Sequence, residues 1–375
     1  PRKLNSYTKT YFKNLDATRF IAFLAVLLEH AVTSTNQTIR NSSAFSFYAN
    51  HFNIAEFGVQ FFIVLSGFLI TWIILEEYEK SSRFNISSFL FRRTLRIWPL
   101  YFLMIAIAFT LAWTFKEFTG ATPHEMPSLL YLLTFTFNFY IISHGQSFLF
   151  FLVFLWSISV EEQCYLLWGI FLKWMKKLFV PFCILLILLS IGFRIYALQK
   201  GIPFYFNTLN WVGSFACGAL LAIFCLKMGP LYERLTSIPK PVSLLVYVLF
   251  ILNLIFRNHI YTSVATVAIE NLVFNLFFVF ILFEQAISVN PLVNLGKSSA
   301  LSYLGKISYG LFCYHGLVIL VLTQLFRQMG WADSNLTVFI INPLVIFALT
   351  VLISATSYRY FEKPFMALRY KLKTA

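Results

Sequence analysis

Stretches of about twenty largely apolar residues, the length a helix needs to cross a hydrocarbon core roughly 30 Å thick, recur along this chain from end to end. Eleven can be counted, with approximate extents 15–35, 54–76, 97–115, 127–142, 148–172, 178–198, 208–226, 241–256, 262–284, 305–326 and 336–357. With 59% hydrophobic and only 12% charged residues, the 375-residue chain has too little polar surface to coat a soluble globule. It is therefore expected to fold as an all-α polytopic bundle solvated by the lipid bilayer. No long polar stretch separates the runs, so residues 1–375 read as a single transmembrane domain, with 1–14 a cytoplasmic arm and 365–375 a basic cytoplasmic tail.

A formal charge of +14 would suggest a nucleic-acid partner in a soluble protein. Here the basic residues sit mainly in short segments between apolar runs, where they act as topology signals and imply no nucleic acid. The segment 127–142 is short and interrupted by Asn138; it is expected to enter and return on the outer side, or otherwise fail to span. That choice places 22 Lys and Arg residues on the cytoplasmic side against six outside (Arg40, Lys116, Arg194, Lys200, Arg257 and Arg327). If the segment crosses, the count becomes 13 against 15, so ten spanning helices with both termini cytoplasmic are expected. A non-spanning segment at membrane depth needs protein or a water-filled cavity around its backbone, and that cavity is the place to expect substrate. The first run carries charges and is too long for a cleaved signal segment, so it is expected to remain as a helix. Cys164, Cys183, Cys217, Cys225 and Cys313 lie in apolar runs without a CxxC pair and read as core thiols, neither disulfides nor metal ligands.

Ionisable groups within a bilayer are costly unless paired or hydrated, so each one is a candidate for function. On the first helix Arg19 and His30 are eleven residues apart, about 20° past three full turns, and share a face with His30 roughly 16 Å further along. Asp16, one turn before Arg19, can pair with it and hold the guanidinium. Arg92, Arg93 and Arg96 lie at the cytoplasmic mouth of the third run; Arg93 and Arg96, one turn apart, suit either a phosphate clamp or a positive-inside anchor. Glu161 and Glu162 form an adjacent pair inside the fifth run. Neighbours on a helix point about 100° apart, so one can orient or charge-stabilise His30 while the other pairs with an arginine. Ser66 and Gly67 leave a small-residue gap suited to close helix packing or to a slender chain. Tyr314 and His315 are lesser candidates for binding substrate, and Arg359 with Glu362 is expected to pair structurally and end the last helix before Pro364.

The blocks LDATRFIAFLAVLLEH, GVQFFIVLSGFLI, FRRTLRIWPLY, LWSISVEEQCYLLW, ISYGLFCYH and YRYFEKP, in that order over essentially the whole chain, resemble the acyltransferase-3 family of membrane proteins. The resemblance implies an acyl-CoA dependent O-acyltransferase of the inner (plasma) membrane, usually an acetyltransferase. Its acceptors are carbohydrates of the cell surface or periplasm: lipopolysaccharide, exopolysaccharide, peptidoglycan or related glycosides. It implies that Arg19 and His30 are required for activity, that Arg93 and Arg96 are associated with acyl-CoA, and that Glu161 and Glu162 match the family's carboxylates. With these, Arg92, Ser66 and Trp156 are assigned to the donor site and Asp16 to the catalytic group; no tightly bound cofactor and no metal is expected. Where the family often has Trp-Pro after the histidine matching His315, this chain has Gly316 and Leu317. Some members carry a hydrolase-like domain after the last helix; this chain ends eleven residues past Pro364, so acyl handover is expected within the membrane domain or on a separate partner. In the expected mechanism the arginines hold the CoA phosphates, the pantetheine arm runs toward His30, and neutral His30 takes the proton of the acceptor hydroxyl. The alternative is a transporter of an anionic or glycosylated solute, which commonly shows internal repeats with paired broken helices; none is visible here. A purely structural scaffold leaves the membrane-embedded His, Arg and Glu residues without a use.

Overall fold

The computed structural model describes residues 11–34, 36–119, 126–145, 150–227, 236–330 and 334–371. Residues 1–10 of the expected arm and 372–375 of the expected tail lie outside the described residues. Among those described, helices are the only regular elements: α1 (Lys13–Ala31), α2 (Gln37–Arg40), α3 (Ser43–His51), α4 (Ala55–Ser81), α5 (Ile86–Thr119), α6 (Leu129–Leu133), α7 (Phe137–His144), α8 (Phe150–Val153) and α9 (Leu155–Trp174) come first. They are followed by α10 (Phe179–Lys200), α11 (Thr208–Lys227), α12 (Lys240–Ile260), α13 (Val264–Ile287), α14 (Ser299–Lys306), α15 (Ser308–Gln328), α16 (Asn342–Ser357) and α17 (Lys363–Lys371).

Eight helical stretches among the described residues are long and apolar enough to cross a membrane: Ser43–Ser81, Ile86–Thr114, Lys176–Lys200, Thr208–Lys227, Lys240–Ile260, Val264–Ile287, Ser308–Gln328 and Thr337–Leu368. The chain is thus a multi-pass membrane protein. Helices α1 and α9, of 19 and 20 residues, fall outside that set; they carry Asp16, Arg19, Glu29 and the Glu161–Glu162 pair, and those charges lower their hydropathy.

Three boundaries differ from those expected. Helix α5 begins at Ile86, so Arg92, Arg93 and Arg96 belong to the helix itself and Pro99 lies inside it, where it removes the bond to the Leu95 carbonyl. The fifth run breaks at Phe154, between α8 and α9. The last run does not stop before Pro364: a π-turn at Tyr358–Glu362 leads directly into α17, and the widened turn lies immediately ahead of the proline. Nor do Arg359 and Glu362 pair. Arg359 lies over the Tyr360 ring at 5.2 Å, while buried Glu362 accepts from the Ser357 hydroxyl at 3.2 Å.

The chain divides into two compact units. The first comprises Pro1–Phe20, Gln60–Ile86 and Gln163–Gly305. Within it α4 and α11 meet backbone to backbone: a Cβ on Gly67 would collide with the Phe215 carbonyl, and one on Gly218 with the Val64 carbonyl. Close packing therefore fills the gap at Gly67. A buried polar network joins α4, α10, α11 and α13, in which Gln60 Nε2 donates to Asn271 and Asn275 and Ser214 Oγ donates to Asn271 Oδ1 at 2.9 Å. Arg194, counted among the six outer cations, is 3% exposed within α10; it donates to Asn210 Oδ1 at 2.7 Å and to the Val267 carbonyl at 2.9 Å. All five cysteines are buried free thiols.

The second unit comprises Ile21–Val59, Ser87–Glu162 and Lys306–Ala375. The segment expected not to span is broken here into α6 and α7, of five and eight residues, both too short to cross. At the break Phe135 adopts a left-handed backbone, φ 53°, which is strained for a non-glycine residue. The break is docked on α5: Tyr101 Oη donates to the Leu132 carbonyl at 2.9 Å and the Phe135 ring stacks on Tyr101 at 4.6 Å. One side of the interrupted backbone is thus packed on α5, while Leu130 and Leu133 on the other side remain exposed.

Candidate active site

Helix α1 carries Asp16 and Arg19 in the first unit and His30 in the second. Asp16 receives Arg19 Nη1 at 2.8 Å and the hydroxyl of Tyr11, so the guanidinium is held by its neighbour one turn back. A Cβ on Gly305 would collide with the Asp16 carbonyl, which keeps α14 close against this turn.

In the second unit the His30 ring lies beside that of His315 on α15, with His30 Nδ1 and His315 Nε2 3.4 Å apart and the rings 19° from parallel. His315 is fully buried, and its Nδ1 lies 2.6 Å from the Phe312 carbonyl. A carbonyl only accepts, so His315 Nδ1 carries the proton and its Nε2 presents a lone pair. That in turn makes His30 Nδ1 the donor across the pair and places the His30 lone pair on Nε2. The Phe154 ring, at the break between α8 and α9, covers both imidazoles at 4.7 and 4.3 Å. A Cβ on Gly316 would strike that ring, so the glycine makes room for Phe154. The C-terminal end of α1 is held from the following segment: Tyr48 donates its hydroxyl to the Leu28 carbonyl, and Glu29 accepts from the Ala55 N–H at 2.6 Å. The residues on either side of His30's turn are thereby fixed.

Of the paired carboxylates, Glu162 accepts from Trp98 Nε1 on α5 at 3.3 Å and lies within the field of Arg93. Its second oxygen, Oε1, is buried without a hydrogen-bond partner, a condition that invites a ligand or water. Arg93 itself lies over the Phe89 ring at 6.0 Å, and Arg96 acts electrostatically on Glu362. The three arginines, Glu162, His30 and His315 thus all belong to one unit. Trp156 is buried on α9, and Tyr314 donates to Ser357 Oγ at 3.0 Å. Ser66, in the other unit, accepts from the Tyr165 hydroxyl at 3.3 Å.

Two residues at this site were not singled out from the sequence. Trp98 sits in an apolar run, and an indole N–H there needs an acceptor, which is a signal for a nearby carboxylate. Phe154 has no such signal, being one of 45 phenylalanines.

No solved structure matches the chain. Peptidoglycan O-acetyltransferase OatA of Listeria monocytogenes is 27% identical over 97% of this chain and 57% of its own length. O-acetyltransferase OatA of Staphylococcus aureus is 24% identical over 96% of this chain and 58% of its own. The chain therefore spans a little over half the length of these relatives. The family described as "Acyltransferase domain" matches residues 12–359, a range that draws on both units and holds Asp16, Arg19, His30, Arg93, Arg96, Glu161, Glu162 and His315, and the chain belongs to that acyltransferase-3 family.

Proposed function

We propose that the chain is an O-acetyltransferase of the plasma membrane that moves an acetyl group from cytoplasmic acetyl-CoA to a hydroxyl of a cell-wall or cell-surface carbohydrate. The carrying observation is the tautomer chain from the Phe312 carbonyl through His315 to His30, which supports His30 Nε2 as a general base. In the proposed step that nitrogen takes the proton of the acceptor hydroxyl as the oxygen attacks the thioester carbon. The carbon–sulfur bond breaks, and the CoA thiolate leaves and is protonated. His315 serves as the positioning residue at Nδ1. Glu162 is engaged with Trp98 and Arg93, so Glu161 is proposed to balance the charge of the imidazolium. Asp16 and Arg19 are proposed to guide the donor along α1, Trp156 to contribute to its site, and Tyr314 to lie at the rim of the acceptor site. The family match over both units supports treating residues 1–375 as one catalytic domain. Adding α1 and α9 to the eight apolar spans supports ten crossings with both ends cytoplasmic.

The direct test is purified chain in detergent with labelled acetyl-CoA and a glycan acceptor such as chitotriose; no label on the glycan would sink the reading. Two variants probe its parts. Arg93→Gln or Arg96→Gln is expected to raise KM for acetyl-CoA about tenfold, the worth of one charge-assisted phosphate contact. With S-acetylpantetheine, which lacks the nucleotide phosphates, the same variants should match the parent; an equal defect with both donors would remove the phosphate assignment. His315→Ala is expected to lower kcat about a hundredfold with KM for acetyl-CoA unchanged, because Nδ1 of His30 loses the partner that sets its tautomer. An unchanged kcat would show that the tautomer is set elsewhere.

A further inference from the structure

Three residues beyond His30, at Thr33, a small polar cavity begins. It is lined by Thr33, Ser34, Thr323, Phe326, Thr337, Val338 and Asn342, all in the second unit, and has a volume of about 10 Å³. Three of its lining atoms, Thr33 Oγ1, Thr323 Oγ1 and Asn342 Oδ1, are buried without a hydrogen-bond partner. The other polar side chains are occupied: Ser34 Oγ accepts from the Asn36 N–H at 3.1 Å, and Thr337 Oγ1 shares a hydrogen bond with Ser334 Oγ at 2.9 Å. Asn342 is 4% exposed, and its Nδ2 donates to the Ala31 carbonyl at 3.3 Å. That bond fixes the amide so that Oδ1 is the atom left over, and it ties the cavity to the residue next to the imidazole. The lining backbone is itself unusual, since Thr337–Ile341 is a π-turn of the kind that collects at functional sites.

Buried polar atoms without partners are rare in a finished structure, and three converging on one void call for a common complement. Asn342 Oδ1 can only accept, whereas each threonine hydroxyl can donate. The complement must therefore donate at least one hydrogen, and an alcohol, which donates one and can accept two, satisfies all three atoms. An anion would face the Asn342 oxygen, and a metal ion would find no charged ligand among the lining residues. A cavity of this size holds one water-sized group, so it takes a single hydroxyl and excludes a sugar ring.

We propose that Thr33, Thr323 and Asn342 form a subsite for one hydroxyl of the carbohydrate acceptor, a neighbour of the hydroxyl presented to His30 Nε2. The inference rests on the transfer reaction proposed above. Its specificity consequence is that an acceptor lacking the neighbouring hydroxyl leaves the three protein atoms unpaired, which a polar site rejects more strongly than a missing methylene.

The test uses the full chain in detergent with chitotriose, a trimer of β-linked N-acetylglucosamine, as the probe. Thr33→Val and Thr323→Val keep side-chain shape while removing the hydroxyl. Each is expected to weaken chitotriose binding to the resting protein about tenfold by calorimetry, to raise its KM in the transfer assay by the same factor, and to leave KM for acetyl-CoA unmoved. Unchanged chitotriose binding in both variants would overturn the subsite and leave the cavity to a structural water. A parallel rise in KM for acetyl-CoA, with a lower melting temperature, would overturn it in favour of a packing role. Because binding is read without turnover, the two proposals separate. Weakened binding in the variants, with a parent chain that binds chitotriose but transfers no acetyl group, would retain the subsite and sink the reaction. Transfer by the parent with unchanged binding in the variants would do the reverse.

Discussion

His30→Ala is expected to lower acetyl transfer by about 10²- to 10⁴-fold, the range lost when a positioned general base is removed. The ring is held by two independent devices, the His315 partner at Nδ1 and the bonds that fix the end of α1, from Tyr48 to the Leu28 carbonyl and from the Ala55 N–H to Glu29. Alanine at this position deletes the imidazole and leaves those bonds intact, so the helix should keep its place. Binding of acetyl-CoA should survive, since the arginines proposed to hold it lie on α5. The measurement is single-turnover transfer from labelled acetyl-CoA beside equilibrium binding of the same donor. Parental rates in the variant would end the assignment of His30 as base, and loss of donor binding would make it a residue of the CoA site instead.

The second large effect concerns stability. Gly218→Val should lower the melting temperature of the purified protein substantially, by a strain of about 2 kcal/mol or more, because the added carbons meet backbone atoms of α4 that have no rotamer to change. The nearest are the Val64 carbonyl and the Phe68 amide nitrogen, the latter 2.8 Å from where a Cβ would lie. Gly67→Ala strikes the same seam from the other side, against the Phe215 carbonyl. Gly192 gives the contrast. A Cβ there meets nothing within 4 Å, so Gly192→Ala should be neutral or raise stability by up to about 1 kcal/mol through helix propensity. Equal melting temperatures for the Gly218 and Gly192 variants would show that α4 and α11 separate at little cost.

Local features of this molecule were legible in the sequence, and long-range pairings were not. The apolar runs announce their helices because hydrocarbon allows few alternatives, and Asp16 holds Arg19 as their spacing of three residues implies. The division of 127–142 into helices too short to cross was readable from the shortness of the run. His30 and His315, by contrast, are 285 residues apart, and nothing in the periodicity of α1 or α15 says that those two faces meet. The sequence therefore offered a carboxylate for His30 and gave no sign of the second imidazole that lies beside it. The setting of Arg194 was hidden for a related reason: near the end of its run it reads as an outer cation, and only Asn210 and the Val267 carbonyl on other helices show that it is buried and hydrogen-bonded. The cavity beside Asn342 is the extreme case, since three unremarkable polar residues acquire meaning only from what they fail to bond.

The kink at Phe135 carries a consequence for the proposed topology as a whole. Eleven apolar runs are an odd number, and the parity of the chain changes at this one place, where a single residue takes a left-handed turn between two helices too short to cross. Smoothing the bend into a continuous helix would do more than alter a loop. It would offer the translocation machinery an eleventh crossing and turn every later segment to the opposite face, so His315 and Asn342 would arrive from the wrong side to meet His30.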